Sequence, residues 1–182
     1  MARNTSKILL LRGINVGPRK RIAMPELRAL LTEAGFEDVR TYVQSGNVVL
    51  SSRNSPAKLR AEAERLIAER FGFDVDVIVR TAQELAEVVA RNPLGDVASD
   101  PKRYQVGFLE AKPKSSVVAE IADLAADGER VETVGREVYS WHPAGAARSK
   151  LWAKLAANGL GVRGTSRNWT TVTKLLEMAG AP

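Results

Sequence analysis

The chain has 182 residues, of which 45% are hydrophobic and 26% are charged. This balance is typical of a globular protein with enough chain for two small cores, and it excludes a largely disordered protein. The absence of cysteine excludes disulfides, thiolate metal sites and a cysteine nucleophile. No apolar run approaches the roughly 20 residues of a membrane span, so we expect a cytoplasmic protein with no membrane partner.

The net charge is +6, and its distribution along the chain is uneven. Three stretches contain no acidic residue, namely residues 1–25, 39–61 and 138–176. Two interpretations are open. Either the acidic residues simply cover the solvated faces of the other helices, or the acid-free stretches converge into one surface that attracts anions.

The first half of the chain predicts a β-α-β-β-α-β order followed by one helix. Apolar residues recur at helical spacing after Pro25, whereas valines alternate with aspartates over residues 73–79, as in a half-buried strand. We predict strands at 7–14, 39–43, 48–51 and 73–79, and helices beginning at Pro25, Ser55 and Thr81. This order is the ferredoxin-like split βαβ arrangement.

The second half predicts a related order after a polar link at residues 95–102. We predict strands at 104–109, 130–134, 137–141 and 161–164, with helices near 117–125, 151–156 and 169–179. The sequence therefore indicates an α+β protein with two lobes, residues 1–92 and residues 93–182. The second lobe is expected to have an arrangement related to that of the first.

Polar residues follow the first predicted strand and also link the second strand to the third. In an antiparallel βαββαβ sheet, both segments lie at the same end, so we expect one polar cluster there. Its candidate ligand-binding residues are Arg12, Asn15, Gly17, Gln44, Ser45 and Asn47. The alternative is that these residues only form turns, with Asn15 hydrogen-bonded to nearby backbone.

Two further polar segments lie in the second lobe, one leading into the helix at 151–156 and one starting the last helix. They add the candidate residues Ser149, Lys150, Arg167 and Asn168, which would form a second wall of the site if the lobes face each other. The alternative is that Asn168 only caps the last helix, with Trp169 in the core.

Catalytic patterns are scarce. His142 is the only histidine and lies between Trp141 and Pro143, so a packing role at a strand end is the better interpretation. With one histidine and no cysteine, we expect no transition-metal site, whereas carboxylates could still hold Mg²⁺. A Ser-His-Asp triad would have to use His142, and the sequence has no Gly-x-Ser-x-Gly elbow. Phosphate-loop and dinucleotide fingerprints are also absent, so we expect no cofactor, and catalysis is left open.

Four stretches resemble the bacterial "domain of unknown function 1697" family. They are Leu11–Gly17 (LRGINVG), Thr41–Val49 (TYVQSGNVV), Ser149–Leu151 (SKL) and Arg167–Val172 (RNWTTV). The resemblance implies an α+β protein of two subdomains with ferredoxin-like lobes, and it implies no activity. In one departure from the family pattern, Pro18 stands where a second glycine is expected, which restricts Gly17 toward extended geometry.

Three functions follow as hypotheses. The first is binding of a small anionic or phosphorylated ligand at the basic polar residues, with or without catalysis. The second is a structural or interaction protein whose motifs maintain the fold. The third is nucleic-acid binding by a basic face, for which the aromatic content of 5% offers few stacking side chains.

Overall fold

The computed structural model describes residues 5–180 and confirms the α+β class. It contains two four-stranded antiparallel sheets and six α-helices. The described chain forms two compact units. The N-terminal unit comprises residues up to Glu87 together with those from Lys174 onward, and the C-terminal unit comprises Val88–Thr173. No helix among residues 5–180 is long and apolar enough to cross a membrane.

The N-terminal unit has the predicted β-α-β-β-α-β order. Its elements are β1 (Thr5–Leu11), α1 (Met24–Glu33), β2 (Glu37–Tyr42), β3 (Asn47–Ser52), α2 (Pro56–Phe71), β4 (Val77–Thr81) and the start of α3 (Ala82–Arg91). The strands lie in the order β2-β3-β1-β4, and every neighbouring pair is antiparallel. The central strand β1 therefore contacts β3 on one side and β4 on the other.

Local capping signals explain where the helices of this unit begin. The Ser55 hydroxyl accepts a hydrogen bond from the Lys58 backbone N–H at 3.3 Å, which caps α2. At the start of α3, the Glu84 carboxylate accepts from the Thr81 N–H at 2.8 Å, and the Thr81 hydroxyl accepts from the Glu84 N–H at 3.1 Å. This is the reciprocal capping box that the sequence predicts.

Helices α1 and α2 cover one face of the N-terminal sheet. Leu27 of α1 and Leu59 of α2 are fully buried with Leu9 and Leu11 of β1 in one apolar cluster. Burying a leucine side chain contributes about 2 kcal/mol, so this cluster anchors both helices to the sheet. The loop that follows β1 therefore starts at a residue of the core, Leu11.

Strand β4 begins later than predicted. The alternating pattern at 73–79 predicts a strand from Phe73, but the observed strand is Val77–Thr81. The backbone before it makes other contacts, because the Asp76 carbonyl accepts from the Arg12 N–H at 2.9 Å and the Asp74 carbonyl accepts from Lys20 Nζ at 2.8 Å. The segment before β4 thus lies against the loop that follows β1.

The C-terminal unit repeats the strand order of the first. Its elements are β5 (Tyr104–Leu109), α4 (Ser115–Ala122), β6 (Arg130–Val134), β7 (Glu137–Trp141), α5 (Lys150–Ala156), β8 (Gly164–Asn168) and the start of α6 (Trp169–Ala179). The strands lie in the order β6-β7-β5-β8, again all antiparallel. A short 3-10 turn, Ala146–Arg148, precedes α5.

The prediction for β8 was wrong. The sequence suggests a strand at 161–164 and a helix start from Thr165, but Gly164–Asn168 is a strand paired with β5. This segment has no apolar side chain, so periodicity cannot reveal it, and its pairing with β5 alone defines it. At Gly164 a Cβ would lie 2.8 Å from the Phe108 carbonyl oxygen, so the close approach of the two strands requires glycine there.

Candidate functional site

Three chain connections meet at one end of the N-terminal sheet. Because β1 is antiparallel to both β3 and β4, the end of β1 lies beside the β2–β3 turn and beside the start of β4. The Leu11 N–H donates to the Gly46 carbonyl at 2.9 Å, which joins the first two connections. We call residues 12–23, 43–46 and 72–76 together the loop end.

Asn15 ties two of these connections to each other. Its side-chain Nδ2 donates to the Ile22 carbonyl at 2.9 Å and to the Gln44 carbonyl at 2.7 Å, and its Oδ1 accepts from the Ile22 N–H at 3.0 Å. Its φ of 56° lies in the left-handed region, which asparagine tolerates better than most residues. Because both amide protons bond backbone, Asn15 serves as a clamp within the loop end.

Asn47 shapes the hairpin from inside. Its side chain is fully buried, and Nδ2 donates to the Tyr42 carbonyl at 3.0 Å and to Ser45 Oγ at 2.9 Å. Beside it, Gly46 has a φ of 78°, and a Cβ there would lie 2.7 Å from Leu11 Cβ. Packing against β1 therefore accounts for the Gly-Asn pair, and the Asn47 side chain is not presented to solvent.

The other candidate residues of the loop end are open to solvent to differing degrees. Gln44 and Ser45 are exposed at the hairpin tip, whereas Arg12 and Gly17 are half-buried. A Cβ added at Gly17 would meet no atom within 4 Å, so close packing does not demand glycine at this position.

Two of the three connections of the loop end contain no acidic residue, but the third, residues 72–76, brings two aspartates to the same end. Its basic side chains are Arg12, Arg19, Lys20 and Arg21, and its acidic side chains are Asp74 and Asp76. The aspartates arrive with the start of β4, which the antiparallel topology places at this end. Basic residues still outnumber acidic ones, and within residues 5–180 the exposed side chains of Arg19 and Arg21 make no ion pair or hydrogen bond.

The four candidate residues of the C-terminal unit lie near one end of their own sheet. Ser149 and Lys150 follow β7, while Arg167 and Asn168 end β8, and both strands end beside the start of β5. Ser149 Oγ accepts from the Trp152 N–H at 2.9 Å, and Asn168 Oδ1 accepts from the Thr171 N–H at 2.9 Å. Both side chains therefore cap helices, while Lys150 is exposed.

Arg167 is buried within the C-terminal unit. Its Nη1 donates to Thr165 Oγ1 and to the Ser166 carbonyl, both at 2.8 Å. Burial away from water lowers the pKa of Arg167 to about 10. The guanidinium is thus held along its own strand rather than presented to solvent.

A buried polar network surrounds His142. His142 has no exposed surface, and its Nδ1 lies 2.7 Å from Glu129 Oε1, while Nε2 lies 3.0 Å from Ser140 Oγ. The Trp152 ring lies nearly perpendicular to the imidazole, with 5.6 Å between the two ring centroids. The sequence indicates packing for His142 but gives no sign of Glu129, which lies 13 residues away outside any motif.

Glu129 is the charged centre of this network. Burial would raise its pKa, but hydrogen bonds from Ser149, His142 and the Ala126 N–H outweigh burial and leave the pKa of Glu129 below its usual value. The carboxylate is therefore ionised and satisfied in the folded protein. Because it bonds Ser149, it also holds the residue that caps α5.

The order Ser140–His142–Glu129 has the hydrogen bonds of a nucleophile, a base and a carboxylate. However, Ser140 is 1% exposed and His142 is 0% exposed, so no substrate reaches the serine hydroxyl in this structure. The network therefore supports the fold of the C-terminal unit. Within residues 5–180, no cluster of three or more histidine, aspartate or glutamate side chains is placed to hold a metal ion.

Comparison with known proteins identifies relatives without a stated activity. Residues 5–139 match the family described as "Protein of unknown function (DUF1697)". In structure the chain is similar to the conserved bacterial protein SP0830 from Streptococcus pneumoniae, with a TM-score of 0.78 and 25% sequence identity over 97% of this chain and 99% of that chain. No curated protein matches the chain.

Proposed function

The chain belongs to the DUF1697 family, whose description names no activity, and we propose from the geometry that the protein binds an anionic ligand at the loop end. The observation that carries this proposal is the pair of exposed guanidinium groups on Arg19 and Arg21, which have no acidic partner within residues 5–180. Arginine presents a planar set of donors that matches carboxylate and phosphate groups.

The proposal assigns different tasks to the motif residues and to their exposed neighbours. Asn15 and Asn47 hold the loops in one conformation, since their amide protons bond backbone and Ser45. Arg19 and Arg21 then supply the charge that attracts the ligand, and the exposed amide of Gln44 is available to orient it. A clamped loop loses little conformational freedom on binding, which favours affinity.

Hydrogen bonding also favours a second candidate function, in which the motifs only maintain the fold. The side chains of Asn15, Asn47, Ser149 and Asn168 all bond backbone groups. Under this function, variants of these residues lower stability, and variants of Arg19 and Arg21 change nothing that can be measured. Variants of the exposed arginines therefore distinguish the two candidate functions, whereas variants of the asparagines do not.

Two finer assignments accompany the proposal. We assign both units to the ferredoxin-like arrangement, which the shared order of strands supports. We also place the protein in the cytoplasm, which the absence of cysteine in a 182-residue chain supports. Nucleic-acid binding is the third candidate function, and RNA therefore enters the test as a competitor.

The proposal is tested by titrating fluorescein-labelled octaglutamate with the full chain at low and at moderate salt, using fluorescence anisotropy. Arg19→Ala/Arg21→Ala should weaken binding, because it removes both unpaired charges. Arg53→Ala/Lys58→Ala is the matched control, since both residues are exposed and follow β3, at the opposite end of the same sheet.

An equal loss of affinity in both double variants would show only a general effect of net charge and would contradict the proposal. Absence of binding even at low salt would also contradict it. If short random RNA displaces octaglutamate at far lower concentration and with a steep salt dependence, nucleic acid becomes the favoured ligand instead.

A further inference from the structure

Two valines at the loop end are exposed although they are apolar. Val16 is 85% exposed and Val43 is 52% exposed, the two largest values among the exposed large apolar residues of the described chain. Their neighbours in sequence, Asn15 and Gln44, are joined by the 2.7 Å hydrogen bond from Asn15 Nδ2 to the Gln44 carbonyl. The two valines are therefore exposed on adjoining loops of the loop end.

The backbone of Val43 is also strained. Its φ is 50°, and the other non-glycine residues with positive φ within residues 5–180 are asparagines, one aspartate and one lysine. A β-branched side chain is a true outlier in this region, because its Cβ substituents crowd the neighbouring carbonyl. Strain of this kind is a recognised pointer to function.

Burial does not compensate for the strain at Val43. About half of the accessible surface of Val43 remains in water, so valine gains little there from the hydrophobic effect on folding. Asparagine or glycine would adopt the same backbone with less strain. A contact that forms only in a complex would account for valine at this position.

The surroundings of the two valines indicate the chemistry of that contact. Arg19 and Arg21 lie in the same loop as Val16 and are exposed. The surface thus combines apolar side chains with positive charge. A small phosphorylated molecule would satisfy the arginines but leave the valines in water.

Two carboxylates at the same loop end limit the class of ligand further. Asp74 is exposed and Asp76 is half-buried. An anionic membrane or a nucleic-acid backbone presents negative charge continuously and would lie against these carboxylates as well, whereas a peptide with a few acidic side chains can pair with Arg19 and Arg21 without facing them. A second copy of this chain would place two equal surfaces of net positive charge against each other, since basic side chains outnumber acidic ones at the loop end, and this net repulsion is unfavourable.

We infer that the ligand of the loop end is a segment of another polypeptide that carries acidic side chains next to an apolar one. The apolar side chain contacts Val16 and Val43, and the carboxylates pair with Arg19 and Arg21. This inference rests on the proposed function, because it identifies the class of anionic ligand bound at the same surface.

The test is a selection of random dodecapeptides displayed on phage against the immobilised full chain, followed by titration of the best synthetic peptide. The enriched peptides should combine acidic with apolar residues. Val43→Asn and Val16→Thr should each weaken binding of that peptide roughly tenfold. Val97→Thr is the matched control, since Val97 is a 42% exposed valine of the C-terminal unit and should bind unchanged.

Thermal unfolding separates a binding role of Val43 from a structural one. Val43→Asn should keep or raise the melting temperature while it weakens binding, because the substitution relieves strain. A lower melting temperature together with unchanged peptide affinity would overturn the inference.

The same experiment separates failure of the inference from failure of the proposed function. If the enriched peptides are purely acidic and the valine variants bind normally while Arg19→Ala/Arg21→Ala does not, the inference fails and the proposed function stands. If no peptide is enriched and octaglutamate does not bind, both fail. Preferential binding to phosphatidylserine vesicles would also overturn the inference.

Discussion

The two units have the same order of strands, but they hold their polar motifs by different chemistry. In the N-terminal unit, neutral amides of Asn15 and Asn47 fix loops at the end where the central strand β1 finishes. In the C-terminal unit, a carboxylate and an imidazole, Glu129 and His142, form a buried network near the end where β5 begins.

The polar motifs of the N-terminal unit hold exposed loops, whereas those of the C-terminal unit lie in the interior. Amide side chains do not titrate, and Arg19 and Arg21 remain exposed in the loop that Asn15 holds. The C-terminal network lies inside the protein and connects Glu129 to Ser149, the cap of α5. Polar motifs therefore hold exposed loops in one unit and form a buried network in the other.

Removal of the buried carboxylate should have the largest effect on stability. Glu129→Ala leaves the imidazole, the Ser149 hydroxyl and the Ala126 N–H without their shared partner, so we expect a loss of about 3 kcal/mol. Urea unfolding of the full chain measures this loss. Glu132→Ala, an exposed position on the neighbouring strand β6, is the control and should change stability by less than about 0.5 kcal/mol.

Truncation of the buried amide in the N-terminal unit should come next. Asn47→Ala removes the buried side-chain donors to the Tyr42 carbonyl and to Ser45 Oγ, for an expected loss of about 2 kcal/mol in urea unfolding. Gln44→Ala at the exposed tip is the control. Equal stability of Asn47→Ala and the wild type would show that the amide does not shape the hairpin.

The cap of α6 should matter less. Asn168→Ala removes the acceptor for the Thr171 N–H and should lower the free energy of unfolding by about 1 kcal/mol. Asn168→Asp keeps an acceptor oxygen at the same position and should retain most of the stability. If aspartate fails to restore what alanine loses, Asn168 has a role other than capping.

The smallest expected effect is a change with pH in the stability difference between wild type and Glu129→Ala, a variant of the C-terminal network. Because the folded pKa of Glu129 lies below its unfolded pKa, its contribution to stability is present above the unfolded value and is lost as pH falls through the folded value. The stability difference between wild type and Glu129→Ala should therefore shrink below the ordinary glutamate range, whereas the difference for Asn47→Ala should stay constant. A constant difference for Glu129→Ala would contradict the assigned hydrogen bonds.

Local patterns predicted the fold where the chain is apolar and regularly spaced. The strands Tyr104–Leu109, Arg130–Val134 and Glu137–Trp141 have the predicted bounds, and Thr81 with Glu84 forms the predicted capping box. The strand Gly164–Asn168 has no apolar side chain, so its signal lies in its partner strand.

The candidate site was predicted in part. Element order suffices to bring Asn15 and Gln44 together, because strand direction decides which loops meet. Strand direction also brings Asp74 and Asp76 to that end. The distribution of charge along the chain does not reveal this, because both aspartates lie outside the acid-free stretches. Burial of Asn47 depends on tertiary packing, which no local pattern carries.

NMR chemical-shift perturbation of the full chain by octaglutamate locates the bound anion residue by residue. If the loop end binds it, the largest shifts cluster at residues 12–21 and 43–46, and Arg19→Ala/Arg21→Ala abolishes them. Shifts centred instead on the exposed Lys150 and its neighbours in the C-terminal unit, or spread evenly over all basic residues, would contradict the claim that the loop end is the binding surface.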